Sequence, residues 1–208
     1  MRLAEKIATM ARRGAPLPYL RRVAYLESHG TEWIDTGVLL TNSVDFELGI
    51  IQYTRNGYST NFMGGDNFYV GSYWEGYVYL YVNGVQLTNW NDLFHDGVKE
   101  SIIKKVGNTF SQHGAFDYKK LIEEDFSCLK SCCLFSKAEG AGRIKTRVTF
   151  FNIGDLRLIP VLDPSGRPAM HDEVSGQLFY NQGSGEFTWG ELDASSALVS
   201  SRGGVLNA

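Results

Sequence analysis

The chain has 208 residues, with 20 Lys and Arg against 23 Asp and Glu, and a net charge of -3. A domain of this length buries roughly 70% of the surface its unfolded chain exposes, so one sandwich-sized core is expected. The mild acidity argues against broad nucleic-acid binding, and the absence of any apolar run of about 18 residues excludes a transmembrane helix.

Residues 1–22 differ from the rest of the chain. Leu3, Ile7 and Met10 recur at the spacing of one helical face, and Gly14, Pro16 and Pro18 end the pattern. Arg2, Lys6, Arg12, Arg13, Arg21 and Arg22 against Glu5 give this stretch a charge of +5. The spacing predicts a short amphipathic helix and linker, which packs on the domain edge or docks a partner subunit; an oligomer formed through residues 1–20 is the corresponding partner expectation. No continuous apolar core of a secretory signal is present, so no secretory signal is expected. Membrane and nucleic-acid partners are not expected.

From Val23 the pattern is β. Residues 23–26 and 32–35 read as strands around a Ser28-His29-Gly30 turn. Val44, Phe46, Leu48 and Ile50 alternate with Asp45, Glu47 and Gly49, a half-buried strand. Strands are also expected at 60–63, 98–106, 129–135, 144–151 and 156–162; for 98–106 the inward face is ambiguous. Residues 177–180 and 186–189 flank Asn181-Gln182-Gly183-Ser184-Gly185 and read as a hairpin. Only 118–125 invites a second helix. After Gly190 the chain turns small and polar, so 191–208 reads as a flexible tail and 23–190 as the domain. Short strands with glycine-rich turns imply an all-β sandwich or barrel.

The most informative stretch is 67–88. Tyr77, Tyr79 and Tyr81 alternate with Val78, Leu80 and Val82, giving one tyrosine face and one aliphatic face. Asn83-Gly84 then signals a type I′ turn. A two-residue loop predicts the pairs Val82–Val85, Tyr81–Gln86, Leu80–Leu87 and Tyr79–Thr88.

Two stretches resemble the concanavalin A-like lectin/glucanase superfamily, in its laminin-G-like bacterial and prophage branch. The first is Tyr25-Leu26-Glu27-Ser28-His29-Gly30-Thr31-Glu32-Trp33-Ile34-Asp35-Thr36-Gly37. The second runs from Leu158-Ile159-Pro160-Val161 through Asp172-Glu173-Val174-Ser175-Gly176-Gln177-Leu178-Phe179-Tyr180-Asn181-Gln182-Gly183-Ser184-Gly185-Glu186-Phe187. The resemblance implies a jelly roll of two antiparallel sheets whose first and last strands lie near each other. It implies no single function, since lectins, hydrolases and assembly modules share that fold. Residues 107–140 follow the pattern only loosely.

Glycoside hydrolysis needs two carboxylates flanking the bond. Asp45 and Glu47 share a face without a third acid at the glucanase spacing, and Glu191-Leu192-Asp193 is followed by Ala194 and serines. Glu123, Glu124 and Asp125 read as a solvated run, so no catalytic residue is assigned and the chain is expected not to be an enzyme. Cys128, Cys132 and Cys133 are too few and too clustered for a disulfide framework. On a strand, Cys132 and Cys133 point to opposite faces and cannot share one ion, so buried thiols are expected and no metal site. Gly65-Asp66-Asn67, Asp163-Pro164-Ser165-Gly166 and His171-Asp172-Glu173 could offer oxygens to calcium, yet none matches a D-x-D-x-D loop, and no cofactor is expected. The positive case is carbohydrate binding: sugar C–H faces lie on aromatic rings while hydroxyls seek amides and carboxylates. Tyr69, Tyr73, Trp74, Tyr77, Tyr79, Tyr81, Gln86 and Trp90 are the candidate glycan contacts. The expectation is a non-enzymatic carbohydrate-binding or adhesion module of a phage or prophage particle; the alternative is a structural protein–protein assembly module, and a glycoside hydrolase-like enzyme ranks third.

Overall fold

The computed structural model describes residues 17–51, 60–72, 78–90, 100–114, 117–140 and 145–192. The expected N-terminal helix, and all but Glu191 and Leu192 of the expected tail, lie outside them. The strands are β1 (Arg21–Arg22), β2 (Tyr25–His29), β3 (Ile34–Thr41), β4 (Phe46–Ile51), β5 (Thr60–Gly64), β6 (Phe68–Ser72), β7 (Val78–Val82), β8 (Val85–Trp90) and β9 (Ser101–Val106). They continue with β10 (Thr109–His113), β11 (Tyr118–Leu121), β12 (Ser127–Leu134), β13 (Lys145–Ile153), β14 (Leu156–Leu162), β15 (Pro168–Asp172), β16 (Leu178–Phe179) and β17 (Thr188–Gly190). A 3-10 turn at Ala138–Gly140 is the one helical element among the described residues.

Two antiparallel sheets pack as a sandwich. The smaller runs β3-β12-β5-β6-β7-β8. The larger has 11 strands: its main path is β11-β10-β9-β4-β13-β14-β15-β16, and β1, β2 and β17 attach to β14, β13 and β2. Alternation places Leu48, Ile103, Val148 and Leu158 of the larger sheet against Phe62, Phe68, Leu80 and Val82 of the smaller one, all fully buried. Phe68 stacks on Phe126 at 4.6 Å and meets Phe46 edge-on at 5.8 Å, so aromatic packing bridges the two layers.

The 98–106 ambiguity resolves with Ser101, Ile103 and Lys105 inward. Lys105 is fully buried, and its ammonium donates to the carbonyls of Asn42 (2.8 Å) and Val44 (2.9 Å). Burial pulls its pKa down, partly offset by Asp45. The lysine stem fills core while its head satisfies two turn carbonyls, which is why a charge is tolerated there.

Several expectations need correction. The domain begins before Val23: the Leu20 amide donates to Leu162 O, and Arg21 and Arg22 pair with β14. Residues 118–121 are not helical but form β11, an edge strand on β10 whose exposed Lys119 and Lys120 suit an edge. Residues 177–189 are no hairpin, because β16 pairs with β15 whereas β17 pairs with β2. The intervening loop spans two neighbours instead of closing on itself. The first and last patterned stretches do meet, with Trp189 opposite Leu26.

Candidate functional site

The Asn83-Gly84 turn forms with both residues at positive φ, 51° and 79°. Val82 pairs with Val85 and Tyr81 with Gln86 as the loop length requires. Beyond that the register shifts: Leu80 faces Thr88, and Tyr79 faces Asn89. Leu87 is the extra residue of a bulge, and the Leu80 amide donates to Thr88 Oγ1 at 2.9 Å in place of a ladder bond.

Val78, Leu80 and Val82 enter the core as expected. The opposite face carries a cross-strand row of Cys133, Gly64, Tyr69, Tyr81 and Gln86. A second row holds Asn61, Gly71 and Tyr79. The Tyr69 and Tyr81 rings are 4.9 Å apart and within 12° of parallel. That separation matches the spacing of adjacent strands, so the rings stand face to face, side by side, rather than lying flat on the sheet.

Neighbours hold this stack. Tyr81 Oη donates to Gln86 Oε1 at 2.9 Å, and Gln86 Nε2 donates to Thr88 O at 3.0 Å. Tyr79 stands edge-on to both rings, at 6.3 Å from Tyr69 and 5.4 Å from Tyr81. It is only 2% exposed, and its hydroxyl donates to Asn61 Oδ1 at 3.1 Å. Gly64 contributes no side chain to the row, and Lys137 is the group that lies against Tyr69, with Nζ 4.4 Å from the ring centre. Among the described residues no carboxylate pairs with Lys137, whereas nearby Lys130 bonds Glu139 at 2.7 Å. Burial, then the Tyr81 hydroxyl, raises the Tyr69 pKa, so its phenol remains a proton donor at neutral pH.

Four of the eight candidate contacts therefore come together: Tyr69, Tyr79, Tyr81 and Gln86. Tyr79 is the buried support of the group, while the other three are partly exposed. Tyr73, Trp74 and Tyr77 lie outside the described residues. Trp90 ends β8 opposite Val78, and its side chain lies outside the description. Lys137 and Asn61 belong to the site without having been singled out. Asn61 falls in an expected strand, and its alternation with buried Phe62 is the signal that could have placed it on the outer face. Lys137 was not, since the turn that carries it has no strand or helix pattern.

The other candidates have local roles. Asp66 Oδ1 accepts from the Leu129 and Lys130 amides. Asp172 accepts from the amides of Arg157, Val174 and Ser175. Asp163 accepts from Ser165, Arg167 and Tyr180; the Ser165 hydroxyl leads in holding its pKa down at about 2. These carboxylates act as turn clamps. The three cysteines are buried free thiols, and burial raises all three pKa values, that of Cys132 most clearly. Cys132 faces the core while Cys133 joins the outer row. Glu123, Glu124 and Asp125 are exposed, and Glu47 lies 3.7 Å from Lys104.

A second polar centre forms where the chain ends meet. Glu32 is buried, and its carboxylate accepts from the His29 amide (2.7 Å), the Ser28 hydroxyl (3.1 Å) and the Thr31 hydroxyl (2.8 Å). Burial alone would raise its pKa, but the His29 amide, followed by the Thr31 hydroxyl and nearby backbone amides, holds it below the ordinary value. Asn181 Oδ1 accepts from the Trp33 and Gly183 amides, and Asn181 Nδ2 donates to Gly185 O. A Cβ on Gly183 would overlap the Thr31 carbonyl oxygen, so only glycine fits this approach. A cavity of about 170 Å³ opens beside this centre, lined by Arg167, Asn181, Glu186 and Phe187 among others.

No protein-family model matches the sequence, and no curated protein matches it. The fold class stands on the structure alone: an all-β, two-sheet antiparallel sandwich.

Proposed function

We propose that this chain is a non-enzymatic binding module of the concanavalin A-like, jelly-roll type, and that it recognises carbohydrate through the outer face of the smaller sheet. The observation that carries this reading is the crest formed by Tyr69, Tyr81, Gln86 and Lys137. Both flanks of Tyr69 are occupied, one by Tyr81 and the other by Lys137. A sugar would therefore meet ring edges, phenol oxygens, the amide and the ammonium, and hydrogen bonding would outweigh flat stacking. A particle setting rests on the resemblance of the two end segments to prophage domains. The test is a glycan array with wild type, Lys137→Ala and Gln86→Ala. Binding that falls at least about tenfold in either variant supports the reading. No glycan held by wild type, or binding unchanged in both variants, ends it.

A protein-assembly role is the second reading. Leu129 is 83% exposed in the bulge where β12 passes β3, and Leu39 on β3 is 50% exposed. Exposed leucines there suit a protein contact. Light scattering tests this: a wild-type oligomer that dissociates in Leu129→Glu supports it, and a wild-type monomer contradicts it.

A further inference from the structure

The larger sheet carries a small apolar cluster on the face turned away from the core. Ile159, Val161 and Ala169 form its floor, and Tyr19, Leu178 and Tyr180 pack against them. His171 stands in this cluster, 7% exposed, and neither Nδ1 nor Nε2 has a hydrogen-bond partner among the described residues. Tyr19 covers it, with ring centres 4.8 Å apart and planes at 60°.

Charged and titratable groups approach His171 from several elements. Asp172 on the same strand favours a proton on His171, but its carboxylate is already held by three backbone amides. Glu173 follows in the turn, and Arg22 comes from the N-terminal segment; both act on the Tyr19 phenol. β14 and β16 set Ile159 and Leu178 opposite the imidazole. At the far end Tyr180 bonds Asp163, with Arg167 over its ring. No carboxylate among the described residues bonds either ring nitrogen, so an imidazolium would bury a charge and two unmet N–H donors.

We propose that residues 17–22 are an acid-released latch hinged at Val23: protonation of His171 lifts the Tyr19 cover and frees this segment from the larger sheet. Val23 is buried in the main core and anchors the end of the segment; ahead of it the closed latch is held by few contacts. The Leu20 amide donates to Leu162 O (2.7 Å) and the Val23 amide to Pro160 O (3.0 Å). Arg21 bonds Glu191 at 2.7 Å and lies over Trp189. The ion pair is exposed, and exposed pairs hold weakly. Opening lets water reach both imidazole nitrogens and uncovers Ile159 and Val161. Burial lowers the His171 pKa, so the sign is fixed: the closed form is favoured above the free-histidine pKa of about 6.5, and the advantage is lost as pH falls below it.

The test is amide hydrogen exchange on the full chain from about pH 7.5 to about pH 5.5, corrected for intrinsic rates, with the histidines followed by NMR. Protection at Leu20 should fall roughly tenfold or more in step with His171 titration, while core-anchored Val23 and Val148 in β13 stay protected. His171→Phe should abolish the pH dependence. Tyr19→Ala should leave the Leu20 amide poorly protected at either pH. Wild-type protection that does not change with pH, or a fall that does not track His171, overturns the latch. An undiminished fall in His171→Phe overturns it as well.

Discussion

The corner where the chain ends meet and the tyrosine face are both built from polar and aromatic side chains, yet they are organised differently. At the corner, Glu32 and Asn181 turn inward and receive backbone amides, so their polar capacity is spent on fixing two loops. On the face, Tyr79 alone is turned to support, while Tyr69, Tyr81, Gln86 and Lys137 keep part of their surface outside. The 3-10 turn and the residues just before it touch both regions: Gly140 lies against the Trp33 ring, and Lys137 lies over Tyr69. A folding site is one whose donors are consumed by backbone; a recognition site leaves side-chain edges outward.

Four substitutions probe the two regions. Tyr79→Ala should cost the most, about 4 kcal/mol, because it empties a buried ring site and removes the hydroxyl bond to Asn61. Its melting temperature would show this, and for that reason it is unsuitable as a binding variant. Gly183→Ala should cost about 3 kcal/mol, since its methyl group collides with backbone that cannot yield. Glu32→Gln should cost about 2 kcal/mol in urea unfolding, because an amide would present donors to the His29 and Thr31 donors. The Glu32 pKa is depressed in the fold, so its contribution is present above the ordinary carboxylate pKa and is lost as pH falls through the folded value. Glu32→Gln should therefore flatten part of the acid limb of stability. Tyr81→Phe should cost least, under about 1 kcal/mol, because it removes the hydroxyl that bonds Gln86 and keeps a partly exposed ring.

The sequence made some of this legible. Asn83-Gly84 and the alternation of 78–82 located the hairpin, its turn type and its core face, because turn chemistry and parity are local properties. The bulge at Leu87 was not legible: an aliphatic residue continued the alternation, and the deciding contact is the Thr88 hydroxyl on the Leu80 amide. Gly183 looked like hairpin punctuation, whereas its need for glycine comes from Thr31, far away in sequence. The upright Tyr69–Tyr81 stack and the place of Lys137 depend on β6, β7 and a turn meeting in space. No local pattern encodes such a meeting.

If the outer crest of the smaller sheet is a recognition surface, it should bind ligand while contributing little to stability. Glycan affinity and melting temperature, measured together for wild type, Lys137→Ala and Gln86→Ala, decide this. Affinity should be lower by about tenfold or more in either variant, with the stability of Lys137→Ala changed by less than about 0.5 kcal/mol. Wild-type affinity in both Lys137→Ala and Gln86→Ala, or a large loss of stability in Lys137→Ala, would contradict it.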